Sequence, residues 1–394
     1  MSDYKSVIIS AKSAKKIREG HLWVYSNEIL HAMTPLSMFF SGEIVNIINE
    51  QQKSLGFGMI NPQSLIAVRV LDNKKPLGKS LLKERIDSAF KLRSRYYAKP
   101  FYRLLYAEGD RLPGLIIDRY GDIAVVQITS AGLVPFVKDL ISLLLDTFSF
   151  RGVVIRNDNK ARQLEGLSDS GVQCFGEVPE SIVIEENHCQ FLIPLREGQK
   201  TGWFYDHREN RKAVLNFSRE GEVLDVFSYI GAWGIACLKH GAKQLTAVDG
   251  SARALSFLQK SAALNGVEDQ VEVMHKDAFE ALNLLVSAKR KFDFVIVDPP
   301  AFIKKKKDLH NGIKAYERIN ELALRLVKRQ GFLLSASCSM HLPSEKLQSI
   351  VQARARHVDR YVKRVFQGSH AVDHPVHPAI KETEYLKAQL YQVQ

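Results

Sequence analysis

Apolar and polar positions along the chain fall into three successive rhythms, and each predicts a different kind of module. Over residues 1–73, "SVIIS", "GEIVNIINE", "LGFGMIN" and "LIAVRVL" alternate or run apolar between Gly and Pro breaks, which predicts short strands in a small β-rich domain. Among them, "KKIREGHLWVYSNEI" predicts a basic helix that leads into an aromatic-bearing turn. The polar "KKPLGKS" then acts as a linker, and "LLKERIDSAFKLRSRYY" carries apolar residues at helical spacing. Further on, "YRLLYAEGDRLPGLIIDRYGDIAVVQI" predicts two strands around turns at Gly109-Asp110 and Gly121-Asp122. The helix "AGLVPFVKDLISLLLDTF" and the strand "GVVIRND" follow, so that residues 74–185 form a middle α+β domain.

From 186 to 394 the rhythm changes again. "GEVLDVFSYIG", "QLTAVDGS", "VEVMHKDAF", "FDFVIVDPPAF" and "GFLLSASCS" are apolar strand-like runs, and helical patterns such as "ARALSFLQKSAALNG" and "AYERINELALRLVKR" separate them. Strands that alternate with helices predict a mostly parallel sheet covered on both faces, an α/β fold of Rossmann-like type.

In such a sheet, ligands bind at the carboxyl ends of the strands. The unusual residues lie there. Asp225 ends the first strand with Gly231 after it, Asp249 ends the second, Asp277 the third with Ala278 beside it, and Asp298 the fourth. Any one Asp could simply cap the next helix. Together they favour a ligand with ribose and amino groups to donate, and they disfavour phosphates, because like charges repel. The phosphate-cradling G-x-G-x-x-G pattern is absent. Pro299 and Pro300 lack backbone donors and stiffen the turn after Asp298, so acceptors point rigidly toward the crevice.

Charge and cysteine usage narrow the partners. Lys and Arg outnumber Asp and Glu by 55 to 43, which favours a polyanion over a neutral metabolite. Lys304, Lys305, Lys306 and Lys307, close after the Pro-Pro turn, could hold RNA phosphates on a loop, or could be no more than a solvated charge run. Trp23 is either a core residue or a base-stacking surface. The four cysteines, Cys174, Cys189, Cys237 and Cys338, show no C-x-x-C or zinc spacing. No metal is expected, since prolines also break up His370, His374 and His377. No apolar run approaches membrane-spanning length and the start lacks signal-peptide features, so a cytoplasmic protein is expected.

The ordered segments "DVFSYIGAWG", "VDGS", "KDAF" and "DPPAF" resemble the class I S-adenosylmethionine-dependent methyltransferases. With "GHLWVYSNEI", "GDRLPGLIIDRYGD", "GQKTGWFYDHRENR" and "DHPVHPAIKETEYLK" added, nearly the whole chain is similar to the bacterial 23S ribosomal RNA cytosine-C5 methyltransferase family. The resemblance implies an N-terminal PUA RNA-binding domain (1–73), a middle α+β domain (74–185) and a C-terminal methyltransferase domain (186–394). It assigns Asp225, Gly231, Asp249, Asp277 and Asp298 to the cofactor and base pocket, with Phe227, Ser251 and Ala278 beside them. Lys200, Asp206 and Arg208 would close over the S-adenosylmethionine. The implied partner is 23S ribosomal RNA, and the oligomeric state is left open between a monomer and a homodimer.

Cytosine C5 is a poor nucleophile until a thiolate adds to C6, so a cytosine-C5 enzyme needs a thiol beside the base. Cys338, at the end of the fifth run, meets that need, and the resemblance places the family's nucleophile in the matching Ser-Cys-Ser segment. Asp298 would then bond the cytosine edge. No second cysteine follows the Asp-Pro-Pro turn, where the chain reads Ala301-Phe302, so the group that removes the C5 proton is unidentified. Two other functions compete: methylation of a guanine nitrogen on the same fold, which needs no thiol, and non-catalytic RNA binding.

Overall fold

The N-terminal strands form a five-stranded sheet in the order Ser6–Ile8, Glu43–Ile48, Ser54–Ile60, Ile66–Asp72, Trp23–Tyr25. The first pair is parallel and the rest are antiparallel. The computed structural model describes residues 4–158, 160–196 and 201–394. The chain divides into two compact units. The first runs to Ile182 and includes Pro194–Trp203 and Val372–Thr383; the second comprises Val183–Ile193, Phe204–Ala371 and Glu384–Gln394. Among the described residues, no helix is long and apolar enough to cross a membrane.

A second five-stranded sheet completes the first unit, in the order Val172–Gly176, Gly152–Arg156, Ile123–Ile128, Leu115–Tyr120, Phe101–Tyr106. The sequence pattern predicted two strands where three form, because Gly121-Asp122 makes a two-residue hairpin that pairs Tyr120 directly with Ile123. The helix expected over "AGLVPFVKDLISLLLDTF" is broken. Pro135 confines Ala131–Phe136 to a 3₁₀ turn, and only Val137–Ser142 is α-helical before a π turn. Within this sheet, Asp118 is fully buried and takes a bidentate pair from its cross-strand partner Arg103, with Nε to Oδ1 at 2.8 Å and Nη2 to Oδ2 at 2.9 Å.

The second unit holds a seven-stranded sheet. Its strands are β1 (Glu222–Val226), β2 (Gln244–Asp249), β3 (Val271–His275), β4 (Phe292–Val297), β5 (Val327–Ser337), β6 (Val362–Gly368) and β7 (Lys387–Val393). Their order is β3-β2-β1-β4-β5-β7-β6, with β1 to β5 parallel, β7 antiparallel to β5, and β6 antiparallel to β7 at the edge. The order of strands reverses its spatial progression between β1 and β4, the switch point at which crevices open. Helices α1 (Gly234–Lys239), α2 (Ala252–Leu264), α3 (Ala278–Ser287), α4 (Leu309–Leu326) and α5 (Ser344–His357) connect the strands. The apolar runs of β1, β4 and β5 share one core with the inner faces of α3, α4 and α5.

Asp118→Ala is expected to destabilise the first unit by about 3 to 5 kcal/mol, because it strips a buried guanidinium of its carboxylate. Urea denaturation checks this. A loss below about 1 kcal/mol would mean that water already screens the pair as it does at a surface.

Candidate active site

Because β1 to β5 are parallel, their carboxyl-end loops share one edge of the sheet, and the expected residues gather there. The loop after β1 is held in an uncommon shape. Phe227 and Tyr229 have φ of +66° and +50°, left-handed conformations that side-chain-bearing residues adopt at a cost of about 1 to 3 kcal/mol. Val248 O accepts from Phe227 N at 2.9 Å and Ser228 N at 3.0 Å, and Asp249 Oδ2 accepts from Tyr229 N at 2.9 Å. Gly231 has φ +88°, and a Cβ there would come within 2.8 Å of Ile235 and Leu258 side-chain atoms. Only glycine lets this loop lie against α2.

The carboxylates differ in what they face. Asp225 is fully buried; its Oδ2 accepts from Gly234 N at 3.0 Å and its Oδ1 has no hydrogen-bond partner. Burial pushes its carboxyl up to about 7, with Asp298 and Asp249 adding to the effect. Asp249 is half-buried and also takes Ser251 N on Oδ1 at 2.8 Å; each of its oxygens keeps a further lone pair. Ser251 and Asp277 are the N-caps of α2 and α3, and Asp277 Oδ1 accepts from Phe279 N and Glu280 N. The capping role is therefore real for both. Asp277 remains exposed at the rim, and Ala278 behind it is buried.

Asp298 follows β4 and is held from two sides. Trp233 Nε1 donates to its Oδ2 at 3.0 Å, and His207 Nε2 lies 3.3 Å from Oδ1. Asn210 Nδ2 donates to His207 Nδ1 at 3.1 Å, which leaves the ring proton on Nε2, facing Asp298. Burial acts to raise the Asp298 carboxyl, but His207 and Trp233 outweigh it and hold the group below its ordinary value. Its side chain is 21% exposed, so an ionised acceptor reaches the crevice.

Cys338 stands just past β5, half-buried, its Sγ 3.9 Å from Pro299 O. The segment around it is pinned. Tyr316 OH of α4 bonds Ser337 Oγ at 2.8 Å and Ser339 Oγ at 2.9 Å, and Ser339 Oγ accepts from Ile303 N at 3.2 Å. Lys387 Nζ donates to Ser339 O and Tyr385 O, both at 2.6 Å. Burial pushes the Lys387 ammonium down to about 8, against Cys338 and Glu384, which act the other way. Cys189 and Cys237 are buried and burial pushes their thiols up to about 12; Cys174 is exposed on the first unit's sheet.

Other expected residues have protein partners of their own. Arg208 is buried, and its Nε donates to Glu186 Oε2 at 3.2 Å while Arg211 Nε donates to Oε1 at 2.6 Å. Asp206 is buried and accepts from Tyr385 OH at 2.6 Å. Lys200 lies outside the described residues. Trp23 is half-buried; its ring packs on the first unit's core and its Nε1 donates to Glu108 at 3.1 Å. The same unit carries an open groove of about 1070 Å³, whose lining includes the cationic Lys16, Arg18, Lys53 and Arg111 beside the acidic Glu19 and Asp72.

The lysine run is exposed throughout, at Lys304, Lys305, Lys306 and Lys307, but it is not the plain loop that the sequence suggested. Lys306 and Lys307 begin a 3₁₀ turn that ends at Asp308, and Asp308 Oδ2 accepts from Lys305 N at 3.1 Å. An acidic side chain that closes the turn onto the Lys305 backbone leads the run straight into α4. No cluster of His, Cys, Asp or Glu suited to a metal occurs among the described residues.

His207, Trp233, Tyr316 and Lys387 were not singled out from the sequence. All four stand inside quoted segments, "YDHREN", "GAWG", "AYERIN" and "EYLK", but their partners are far away along the chain.

Asp225 gives a pH prediction. A carboxyl raised in the folded state destabilises the fold progressively as pH rises from about 4 to about 7. Asp225→Asn keeps an acceptor for Gly234 N and cannot ionise. Relative to wild type, its stability should improve by up to roughly 4 kcal/mol between pH 4 and pH 8, at 1.36 kcal/mol per pH unit. Melting curves at the two pH values measure this, and a difference that does not change with pH would contradict it.

Two family models match parts of the chain. Residues 7–73 match the family described as PUA-like domain, and residues 209–359 match the one described as Conserved hypothetical protein 95. A solved Streptococcus mutans structure assigned as a SAM-dependent methyltransferase aligns over 98% of this chain and 100% of its own, with a TM-score of 0.83 and 19% identity. Another, assigned as a methyltransferase and complexed with SAH, gives 0.84 at 18% identity over the same shares. These likenesses show the fold, a PUA-like domain with a class I methyltransferase sheet. The Ribosomal RNA large subunit methyltransferase I of Escherichia coli is 31% identical over 97% of both chains. That of Alteromonas mediterranea is 30% identical over 98% of both, and with such likeness along nearly its whole length the chain belongs to the Ribosomal RNA large subunit methyltransferase I family.

Proposed function

We propose that the protein methylates C5 of a cytosine in 23S ribosomal RNA, with S-adenosylmethionine as methyl donor and a covalent bond between Cys338 Sγ and cytosine C6. One observation carries this: a thiol stands 3.9 Å from the Pro299 carbonyl, one residue from the ionised Asp298, at the carboxyl edge of a methyltransferase sheet. Neither guanine-nitrogen methylation nor simple RNA binding requires a thiol there.

The crevice residues fit the donor. Asp249 has lone pairs for two ribose hydroxyls, Asp225 Oδ1 is an unpaired buried acceptor, and the rim carries acidic side chains that favour a sulfonium cation. Phe227 and Phe279 flank Phe302, each with ring centroids 6.2 Å from it, and offer flat apolar surfaces for adenine. When bound, S-adenosylmethionine supplies an electrophilic methyl group.

The chain's own residues do the rest. Cys338 thiolate adds to C6, which moves electron density onto C5. Asp298, ionised and fixed by His207 and Trp233, accepts from the cytosine amino group and steadies the ring while N3 takes up a proton from water, which it returns to water when the ring is restored. After C5 has been methylated, loss of its proton and cleavage of the C6–Sγ bond restore the aromatic ring and the thiolate. The groove and the exposed Lys304, Lys305, Lys306 and Lys307 supply cations for phosphates of the RNA, and the reaction takes place in the cytoplasm.

Cys338→Ala should abolish methyl incorporation into 23S ribosomal RNA and leave S-adenosylmethionine and RNA affinities within about two-fold of wild type. Methyl transfer that survives the substitution would favour a guanine nitrogen as target, and wild type that binds RNA but no S-adenosylmethionine would favour a non-catalytic role. Replacing Lys304, Lys305, Lys306 and Lys307 together by Ala should weaken RNA binding and flatten its dependence on salt, by a slope of about 0.7 per lost phosphate contact on single strands. An unchanged slope in salt titrations would remove these lysines from the RNA path.

A further inference from the structure

We propose that Lys387 is the cation that keeps Cys338 available as a thiolate, a positioning role that rests on the reading of Cys338 as the nucleophile. The insertion of β7 next to β5 puts the two together. Lys387, the first residue of β7, is the register partner of Ser337, the last residue of β5, and Cys338 comes next. The lysine side chain folds over the Ser-Cys-Ser segment and gives two of its three ammonium protons to carbonyls, Ser339 O and Tyr385 O. It is half-buried, and among the described residues no carboxylate lies within ion-pair distance of it. A cation placed in this way is short of a counter-charge until the thiol ionises, and an opposite charge nearby favours the ionised form of its neighbour.

The other groups around the thiol do not supply that charge. Tyr316 is bonded to Ser337 and Ser339, and burial raises its phenol, so it is neutral. Asp298 precedes Pro299 and carries a negative charge that opposes a thiolate, though His207 and Trp233 offset it. Glu384 is exposed and acts on Lys387 in the same direction as the thiol. On ionisation the thiol proton leaves to solvent, the sulfur keeps the electron pair, and Lys387 stays an ammonium throughout.

Carboxamidomethylation of the full chain by iodoacetamide across pH, read peptide by peptide by mass spectrometry, tests this with the exposed Cys174 as an internal reference. In wild type, Cys338 should react at lower pH than Cys174. Lys387→Gln should slow alkylation of Cys338 about ten-fold at pH 7 and move its profile upward, and Lys387→Arg should restore it. The acid limb of methyl transfer should move with it while S-adenosylmethionine affinity stays the same. A Lys387→Gln protein that melts earlier but keeps the wild-type alkylation profile overturns the role given to Lys387. So does a wild-type Cys338 no more reactive than Cys174, a result that needs no variant to fold. Failure of the nucleophile reading looks different: Cys338→Ala would still transfer methyl groups, whatever the alkylation profiles show.

Discussion

Val297 of β4 pairs with Ser335 of β5 in parallel register, and most of the chemistry of the second unit depends on that pairing. It brings the turn that follows β4, Asp298-Pro299-Pro300, level with the residues that end β5, Ser337-Cys338-Ser339. The prolines contribute carbonyls and no N–H groups, so the turn offers acceptors only, and one of them faces the sulfur. A slip in this register would separate the carboxylate from the thiol and expose Ser335, Ser337 and Ser339, which are now fully buried.

Three carboxylates at one edge repel each other, and the structure relieves that repulsion differently for each. Asp225 lies so deep that burial raises its carboxyl to about 7. Asp249 has a backbone N–H on each oxygen, and Asp298 has an imidazole and an indole. What reaches the crevice is therefore a graded set of acceptors rather than a block of like charge. That grading suits a ligand with hydroxyls, an amino group and a single positive charge. The Ser-Cys-Ser segment is treated in the opposite way, with neutral Tyr316 on one side and cationic Lys387 on the other.

The sequence pattern disclosed the parallel sheet and the strand-end residues because both depend on local order: apolar runs, the residues that end them, and breaks at Gly and Pro. It could not distinguish an Asp that caps a helix from one that faces a ligand, and Asp277 does the first while its exposed side chain stays at the rim. His207 escaped notice because its partner, Asp298, lies on another strand, and only folding joins them. Trp23 was ambiguous because a strand one side chain deep looks the same whether its aromatic meets Glu108 or a base. Strands β6 and β7 went unread, although "VKRVFQG" and "KAQLYQV" form them, since their place depends on an antiparallel insertion that no local pattern records. Lys387 was hidden with them.

The central claim is that one thiol, Cys338, bonds to the target cytosine. Incubating wild-type protein and S-adenosylmethionine with 23S ribosomal RNA that carries 5-fluorocytosine tests it most directly, because fluorine at C5 leaves no proton to lose after methylation and the enzyme must stall. Tandem mass spectrometry of the denatured, digested complex should find the nucleotide attached to the peptide "GFLLSASCSM" at Cys338. Methylation of cytosine C5 with no adduct, or an adduct at Cys174, Cys189 or Cys237, would contradict the mechanism.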